Sequence, residues 1–376
     1  MKRVLIRPTF HDWCGNRLFT QGTSWQGRYR RAFSSWKNKA MDLGIQIDTW
    51  DQAPLETGDL LWLLDLPTTR KEFEQIRFRL RPGTPIILQV FESPAIAPFG
   101  LIAANRNHFS AVVTYEPPDA SQGVSKHFHY HLPVPVLWPV KNSPFSQRKG
   151  LLMCYSNRVS GFWAIRQLGL AGLPFFGRML AGWKCPPSIL KELSCGDLYS
   201  ERRAIAREAE RSMPGFLDVF GAGWNGEHIS WCPLYPNRPY RCWRGKTELS
   251  KHELAAEYRF VMAYENFRGR RGYISEKIFD PLQAGSVPVY LGEERIAEFV
   301  PQEAFVDARN FRTPRELLAY LQACPEAEWQ EMREAGQEFL HSAAFQSFTD
   351  EAFAKCLTDV LLTIFDVKDS ALLQPS

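Results

Sequence analysis

The sequence predicts an α/β protein built on parallel sheets and divided into two domains. Three observations carry that expectation. Short apolar, β-branched runs alternate with helical segments in the first half of the chain, and the same alternation returns in the second half. Between them lies a polar, proline-broken stretch, LWPVKNSPFSQRKG at residues 137–150. Strands separated by helices argue for sheets that are parallel and covered on both faces.

In chain order, residues 4–7, 45–49, 60–64, 85–91 and 111–115 read as strands, and segments around 29–43, 70–80 and 95–105 as helices. A new strand, LLMCYS, begins after the polar stretch, which puts the domain limit there: 1–148 for the first domain and 149–350 for the second. In the second half, residues 151–155, 217–220, 259–264 and 287–291 read as strands and 201–211 and 315–323 as helices. The remaining 351–376 form a tail, and residues 350–365 are periodic enough for an amphipathic helix.

At 376 residues the chain has room for two domains, and 45% hydrophobic with 13% aromatic residues describes a protein with large cores. A net charge of +4 is mild. It permits a small polyanionic substrate, or weak peripheral contact with an anionic membrane face, but does not suggest nucleic acid. The strongest apolar run, LLWLL at residues 60–64, is far short of the roughly 18 residues of a membrane span. MKRVLIRPTF enters a strand without the apolar centre of a signal peptide, so a cytoplasmic location is expected. The eight cysteines (14, 154, 185, 195, 232, 242, 324 and 356) show neither a C-x-x-C pair nor zinc spacing, and read as reduced thiols.

The chemistry concentrates in residues 258–292, YRFVMAYENFRGRRGYISEKIFDPLQAGSVPVYLG. A strand delivers Glu265 and Asn266 to its carboxyl end, where ligands of open α/β sheets sit. The next loop carries Arg268, Arg270 and Arg271 among glycines, so it can wrap a polyanion. Ser275 can cap a helix whose first turn holds Glu276 and Lys277, and a helix start with a lysine favours phosphate. Pro281 should either kink that helix or open a second one behind Asp280. Without a ligand, the same residues describe a strand, a basic surface loop and a capped helix.

The pattern of strand, E-N, short loop, Y-I-S-E-K-I and then A-G-S-V-P-V-Y-L-G resembles the signature of the alpha-1,3/1,4-fucosyltransferase family. Further resemblances follow the family's order: FESP at 91–94, CYSNR at 154–158, LYSERRAI at 198–205 and DVFGAGWN at 218–225. Together they cover about residues 85–310. Tyr264 stands where the family usually has Phe, Ser275 where it has Thr, and the loop is richer in arginine.

The resemblance implies a GT-B glycosyltransferase of the soluble bacterial type. Two Rossmann-like domains would face each other across a cleft, with the C-terminal helix packing back on the first. The first would bind the acceptor and the second the GDP-sugar donor. The implied reaction moves L-fucose from GDP-fucose to a hydroxyl of an oligosaccharide, with inversion and without an essential metal or other cofactor. An N-acetylglucosamine-containing acceptor and an alpha-1,3 type linkage are expected, as in protein or lipopolysaccharide glycosylation. By motif position, Glu92 would be the catalytic base. Arg202 and Lys277 would neutralise the diphosphate, and Asn266, Tyr273 and Glu276 would hold nucleotide and fucose. Arg203 is the neighbouring candidate for the Arg202 role; Arg202 is preferred because Ile205 then faces the core.

General chemistry agrees. In-line attack at the sugar C1 builds positive charge on carbon and negative charge on the leaving diphosphate, so the leaving group needs cationic help. Metal-dependent enzymes usually place two carboxylates close together for this, and the chain contains no D-x-D triplet. Glu92 follows the apolar run PIILQVF and is expected at a strand's carboxyl end, where a base can reach a hydroxyl. Its plainer role would be to cap a helix over SPAIAPFGL.

Three other signals compete. GAGWNG at 221–226 matches G-x-G-x-x-G, but EHISWCP does not open a helix and no acidic residue follows at the dinucleotide spacing. His127, His129 and His131 alternate, so a strand would line them up for a metal or, more plainly, for a polar face. Trp224, Trp231, Tyr240 and Trp243 suggest core packing or sugar stacking. Alternatives to fucosyl transfer are a GT-B transferase for another nucleotide sugar and a catalytically silent glycan- or nucleotide-binding protein.

Overall fold

A computed structural model describes residues 1–20, 25–117, 126–137, 143–158, 182–183, 196–226 and 238–365. The described residues fall into two compact units. One combines residues 1–135 with Gly182, Trp183 and residues 347–365; the other holds the described residues of 136–346 that remain.

The first unit is a six-stranded sheet in the order β2-β1-β3-β4-β5-β6, with every pairing parallel. Its strands are β1 (Lys2–Arg7), β2 (Ile45–Thr49), β3 (Leu60–Leu64), β4 (Ile86–Val90), β5 (Ala111–Thr114) and β6 (His127–His129). β3, the LLWLL run, lies between β1 and β4 and is buried at all five positions, which is why it reads as continuous rather than alternating. β2, at the sheet's edge, alternates buried and half-buried residues.

Helix Trp25–Asp42 buries Phe33, Trp36 and Ala40, spaced three and four apart, on one face. Trp36 meets Trp62 of β3 with ring centroids 4.7 Å apart. Helix Arg70–Arg79 starts where the Thr69 hydroxyl accepts the Glu72 N–H at 3.1 Å. The C-terminal helix, Asp350–Phe365, packs on this unit as expected: Phe353 lies against Phe33 and Tyr130, Asp350 pairs with Arg31, and the Val134 N–H donates to the Phe348 carbonyl at 2.7 Å.

Residues 95–105, expected as one helix, form instead a 3₁₀ turn at Pro98–Leu101 and a short helix at Ala103–Arg106. Pro98 lacks the N–H that a continuing helix needs. The expected domain limit at 148/149 falls inside the second unit. Arg148 donates to the Tyr258 carbonyl and the Ser286 hydroxyl there, and Arg259 donates to the Phe145 carbonyl.

The second unit is a five-stranded, all-parallel sheet in the order β11-β10-β9-β7-β8. These are β7 (Lys149–Cys154), β8 (Leu217–Phe220), β9 (Tyr258–Tyr264), β10 (Val287–Leu291) and β11 (Val306–Asp307). The chain lays β8 on one side of β7 and β9 on the other, so the carboxyl ends of β7 and β9 flank a topological switch point. Helix Tyr199–Ser212 covers the sheet with Ile205, Ala206 and Ala209, which join one core with Leu151, Leu217, Phe260 and Val289. Helix Glu276–Gln283 connects β9 to β10 and contains Pro281. It neither breaks nor restarts at Asp280: it is a single eight-residue helix that ends within two residues of the proline.

No helix among the described residues is long and apolar enough to cross a membrane. The described cysteines 14, 154, 242, 324 and 356 are free thiols; 185, 195 and 232 lie outside the described residues.

Candidate active site

Glu265 organises the carboxyl end of β9. It is 0% exposed, and its carboxylate accepts the Ser275 N–H at 2.8 Å and the Ser275 hydroxyl at 2.7 Å. Ser275 in turn caps helix Glu276–Gln283, and its Oγ accepts the Lys277 ammonium at 2.8 Å. Lys277 Nζ lies 3.3 Å from Glu265 Oε2 and 3.5 Å from Glu276 Oε1. Burial alone would lower the lysine's pKa, but the two carboxylates outweigh it and hold the group well above its ordinary value. Lys277 is therefore a fixed cation at the start of a helix.

The glycine that ends the Val-Pro-Val-Tyr-Leu-Gly run has a steric cause. A Cβ at Gly292 would sit 2.5 Å from Glu265 Cγ and 2.6 Å from the Tyr290 hydroxyl. The close approach of β10's end to Glu265 thus requires glycine there. Ser286, in the same run, donates to the Ala255 carbonyl at 2.7 Å and the Tyr258 carbonyl at 2.8 Å, tying the helix's exit to β9.

Arg202 comes to this strand end from helix Tyr199–Ser212. The chain before that helix pairs with the chain after β9: the Leu198 N–H donates to the Asn266 carbonyl at 3.2 Å and the Arg268 N–H to the Gly196 carbonyl at 2.8 Å. Arg202 Nη2 donates to the Tyr264 carbonyl at 2.6 Å, the Glu265 carbonyl at 2.8 Å and Asn266 Oδ1 at 3.1 Å. Its guanidinium lies over the Tyr155 ring at 4.1 Å and the Tyr199 ring at 5.2 Å. Arg202 is 3% exposed, so its charge lies beneath the surface, and its bond to Oδ1 orients Asn266. Arg203 is equally buried and donates to the Arg158 carbonyl at 2.6 Å. Ile205 is in the core.

Tyr155, at the end of β7, carries this arrangement from below. Its hydroxyl donates to the Met262 carbonyl at 2.6 Å, and its own carbonyl accepts Trp224 Nε1 at 2.6 Å. Gly221, at φ +123°, passes so close that a Cβ would lie 2.3 Å from the Tyr155 carbonyl oxygen. The glycines of GAGWNG therefore turn the chain against β7, and residues 221–226 form a loop.

Arg202, Asn266, Glu276 and Lys277 are brought together around Glu265. Tyr273 is buried in the intervening loop, its N–H bonded to the Arg270 carbonyl at 3.1 Å. Arg268 pairs with Glu201 at 2.8 Å, and Arg271 is exposed.

Glu92 belongs to the first unit, in the loop after β4. It does not cap a helix: the 3₁₀ turn that follows starts at Pro98, behind Ala97. Its peptide N–H donates to Asp65 Oδ1 at 3.2 Å and its carbonyl accepts the Tyr115 hydroxyl at 3.2 Å. Asp65, Glu265, Ser275 and Tyr155 bond or stack on the candidate site residues but were not themselves singled out as site residues from sequence. Glu265, Ser275 and Tyr155 left a signal, through their places in E-N, I-S-E-K and CYSNR; Asp65 left none.

The competing signals resolve locally. His129 bonds the Tyr115 carbonyl at 3.0 Å, and His131 lies against Phe348 with centroids 4.4 Å apart. Burial lowers the pKa of His127, His129 and His131, that of His131 to about 4. Among the described residues no group of three or more His, Cys, Asp or Glu could hold a metal ion. Trp224 packs edge-on against Tyr240 at 5.0 Å in the core, Trp243 is partly buried beside it, and Trp231 lies outside the described residues.

Residues 200–333 match the family model "Glycosyltransferase family 10 (fucosyltransferase) C-term". Human alpha-(1,3)-fucosyltransferase 7 is 35% identical over 136 residues, covering 35% of this chain and 34% of that protein. An Arabidopsis thaliana alpha-(1,4)-fucosyltransferase is 39% identical over 70 residues, 19% of this chain and 17% of that one. The matches thus span about a third of one of these relatives and about a sixth of the other. Two solved structures share the fold at low identity. An alpha1,3-fucosyltransferase with GDP has a TM-score of 0.53 at 13% identity, covering 96% of this chain and 90% of that one. An alpha1,3-fucosyltransferase with GDP-fucose has a TM-score of 0.51 at 12% identity, covering 100% and 93%. The two parallel sheets are thus those of a GT-B fold. Residues 200–333, the part of the chain that resembles glycosyltransferase family 10, hold both Arg202 and Lys277 beside Glu265.

Proposed function

We propose that the protein transfers L-fucose from GDP-fucose to a hydroxyl of an oligosaccharide, with inversion at C1 and without an essential metal. The acceptor is proposed to contain N-acetylglucosamine, with an alpha-1,3 type linkage formed. The observation that carries this reading is Lys277, a cation held by Glu265 and Ser275 at a helix start, together with Arg202, which is stacked on Tyr155 and bonded to the Glu265 carbonyl.

In the proposed reaction, Glu92 takes the proton of the acceptor hydroxyl while that oxygen attacks C1 of the fucose. The bond from C1 to the diphosphate oxygen breaks, and its electron pair leaves with GDP. Lys277, the Arg202 charge and the dipole of the helix start stabilise the negative charge developing on the diphosphate. Asn266, Tyr273 and Glu276 position nucleotide and sugar. Because these cations are fixed before substrate arrives, little reorganisation is needed as the charge appears. We place the reaction in the cytoplasm, with at most weak contact between the mildly basic protein and an anionic membrane face.

The test is GDP release from GDP-fucose with N-acetyllactosamine-type acceptors, in parallel with GDP-mannose and UDP-sugars. Release with GDP-fucose and a glycan supports the reading. Release only with another donor overturns the sugar assignment, and binding of GDP-fucose without any turnover favours a silent binding protein.

A further inference from the structure

The loop bearing Glu92 is fastened to a buried carboxyl group. Asp65 follows β3, is 1% exposed and has φ +57°, a left-handed conformation that aspartate adopts more readily than most residues. Its Oδ1 accepts two backbone N–H groups, Phe91 at 2.9 Å and Glu92 at 3.2 Å. Its Oδ2 accepts the Thr9 hydroxyl at 2.8 Å, and its own N–H donates to the Gln89 carbonyl at 2.8 Å.

The same stretch is tied from other directions. The Tyr115 hydroxyl donates to the Glu92 carbonyl at 3.2 Å and the Tyr130 hydroxyl to the Val90 carbonyl at 2.8 Å. The Phe91 ring is lodged among Trp13 (6.1 Å), Tyr29 (5.7 Å) and Phe33 (5.7 Å). Loop backbone at a strand end is ordinarily solvated. Here both polar groups of the Glu92 main chain end on buried protein groups, at the cost of taking a carboxyl group out of water.

We propose that Asp65, with Tyr115 opposing it, is a positioning residue that fixes the Glu92 main chain so that the base carboxylate is presented in one place. The part Asp65 plays is that of an acceptor at Oδ1. The Thr9 Oγ1 lies 3.1 Å from the Leu64 carbonyl as well as 2.8 Å from Oδ2. Its hydroxyl can therefore donate to Leu64 and accept from a group at the Oδ2 position. An asparagine side chain, with its carbonyl toward Phe91 and Glu92 and its amide toward Thr9, reproduces the whole set of bonds. The inference rests on Glu92 being the base.

The experiment compares Glu92→Gln, Asp65→Ala, Asp65→Asn and Tyr115→Phe in GDP release from GDP-fucose. Displacing a base from its working position costs on the order of tenfold to a hundredfold. Asp65→Ala should therefore lower kcat by at least about tenfold, with the KM for GDP-fucose changed less than about twofold. Asp65→Asn should restore kcat to within about threefold of wild type, and Tyr115→Phe should lower kcat severalfold. Asp65→Ala at full kcat, or Asp65→Asn no better than Asp65→Ala, overturns the proposal. Should Asp65→Ala fail to fold, Tyr115→Phe decides, and wild-type kcat in it overturns the proposal. If Glu92→Gln is as active as wild type, the base itself is misassigned; if it is silent while the other variants run at full rate, only the positioning role falls.

Discussion

Glu265 Oε2 and Lys277 Nζ lie 3.3 Å apart, with the glutamate wholly buried and the lysine side chain 11% exposed. Each group makes the other's burial tolerable, and Ser275 bonds both. Lys277→Ala should therefore do two things. It should weaken GDP binding, and it should destabilise the fold by about 3–5 kcal/mol by leaving a buried carboxylate unpaired. Pairing Glu265→Gln with Lys277→Met should recover much of the stability but none of the GDP affinity. Calorimetry with GDP and thermal melting read the two effects separately; a Lys277→Ala protein with unchanged melting and unchanged GDP affinity would remove Lys277 from the site.

Arg202→Lys is expected to be a severe change despite keeping the charge. One guanidinium nitrogen serves three acceptors while the plane stacks on Tyr155, and an ammonium cannot do both. The loss of ordered contacts to Asn266 and to the strand-end carbonyls should cost about 1–3 kcal/mol. GDP affinity should drop about tenfold. Equal GDP affinity in the two proteins would contradict the role given to this side chain.

Gly292→Ala tests the packing behind Glu265. The added methyl would lie 2.5 Å from Glu265 Cγ, so either the carboxylate or β10's end must move. About 1–3 kcal/mol of destabilisation is expected, together with loss of donor binding. Gly58→Ala is the control: its nearest contact is a flexible leucine carbon at 3.0 Å, Leu5 Cδ1, in the other unit. Donor binding should survive there, and a Gly292→Ala protein that binds GDP normally would show that Glu265 is not sterically confined.

The Asp65 carboxyl titrates at about 6, raised from 3.8 by burial against the lowering effect of its hydrogen bonds and of Arg7. The folded protein thus holds this proton more tightly than the unfolded chain. The resulting stabilisation is complete below about pH 4 and is lost as pH rises through about 6, a change on the order of 3 kcal/mol. Asp65→Asn should flatten this part of the stability profile, measured by urea unfolding between pH 4 and 7. Parallel profiles for the two proteins would mean that Asp65 does not titrate in this range.

How much of this was legible depended on distance along the chain. The runs at 60–64 and 287–291 gave their strands outright, because buried parallel strands are continuous apolar segments. Ser275 as a cap and Lys277 in the first helical turn could be read from adjacent residues. The pairing of Lys277 with Glu265, twelve residues back across a loop, could not, since it depends on how β9's end meets the helix start. The tie between Asp65 and Glu92 depends on the register that sets Leu64 beside Gln89, and parallel register leaves no trace in a single sequence. Helix Glu326–Leu340 escaped notice because it buries only Trp329, Gly336 and Phe339, too sparse a stripe to stand out. Residues 95–105 looked helical by composition, but Pro98 limits what the backbone can do.

The most direct measurement is the initial rate of GDP release from GDP-fucose and a glycan acceptor with and without excess EDTA. Fixed cations at Lys277 and Arg202 call for the same rate in both. Turnover abolished by the chelator and restored by added magnesium or manganese would contradict the account.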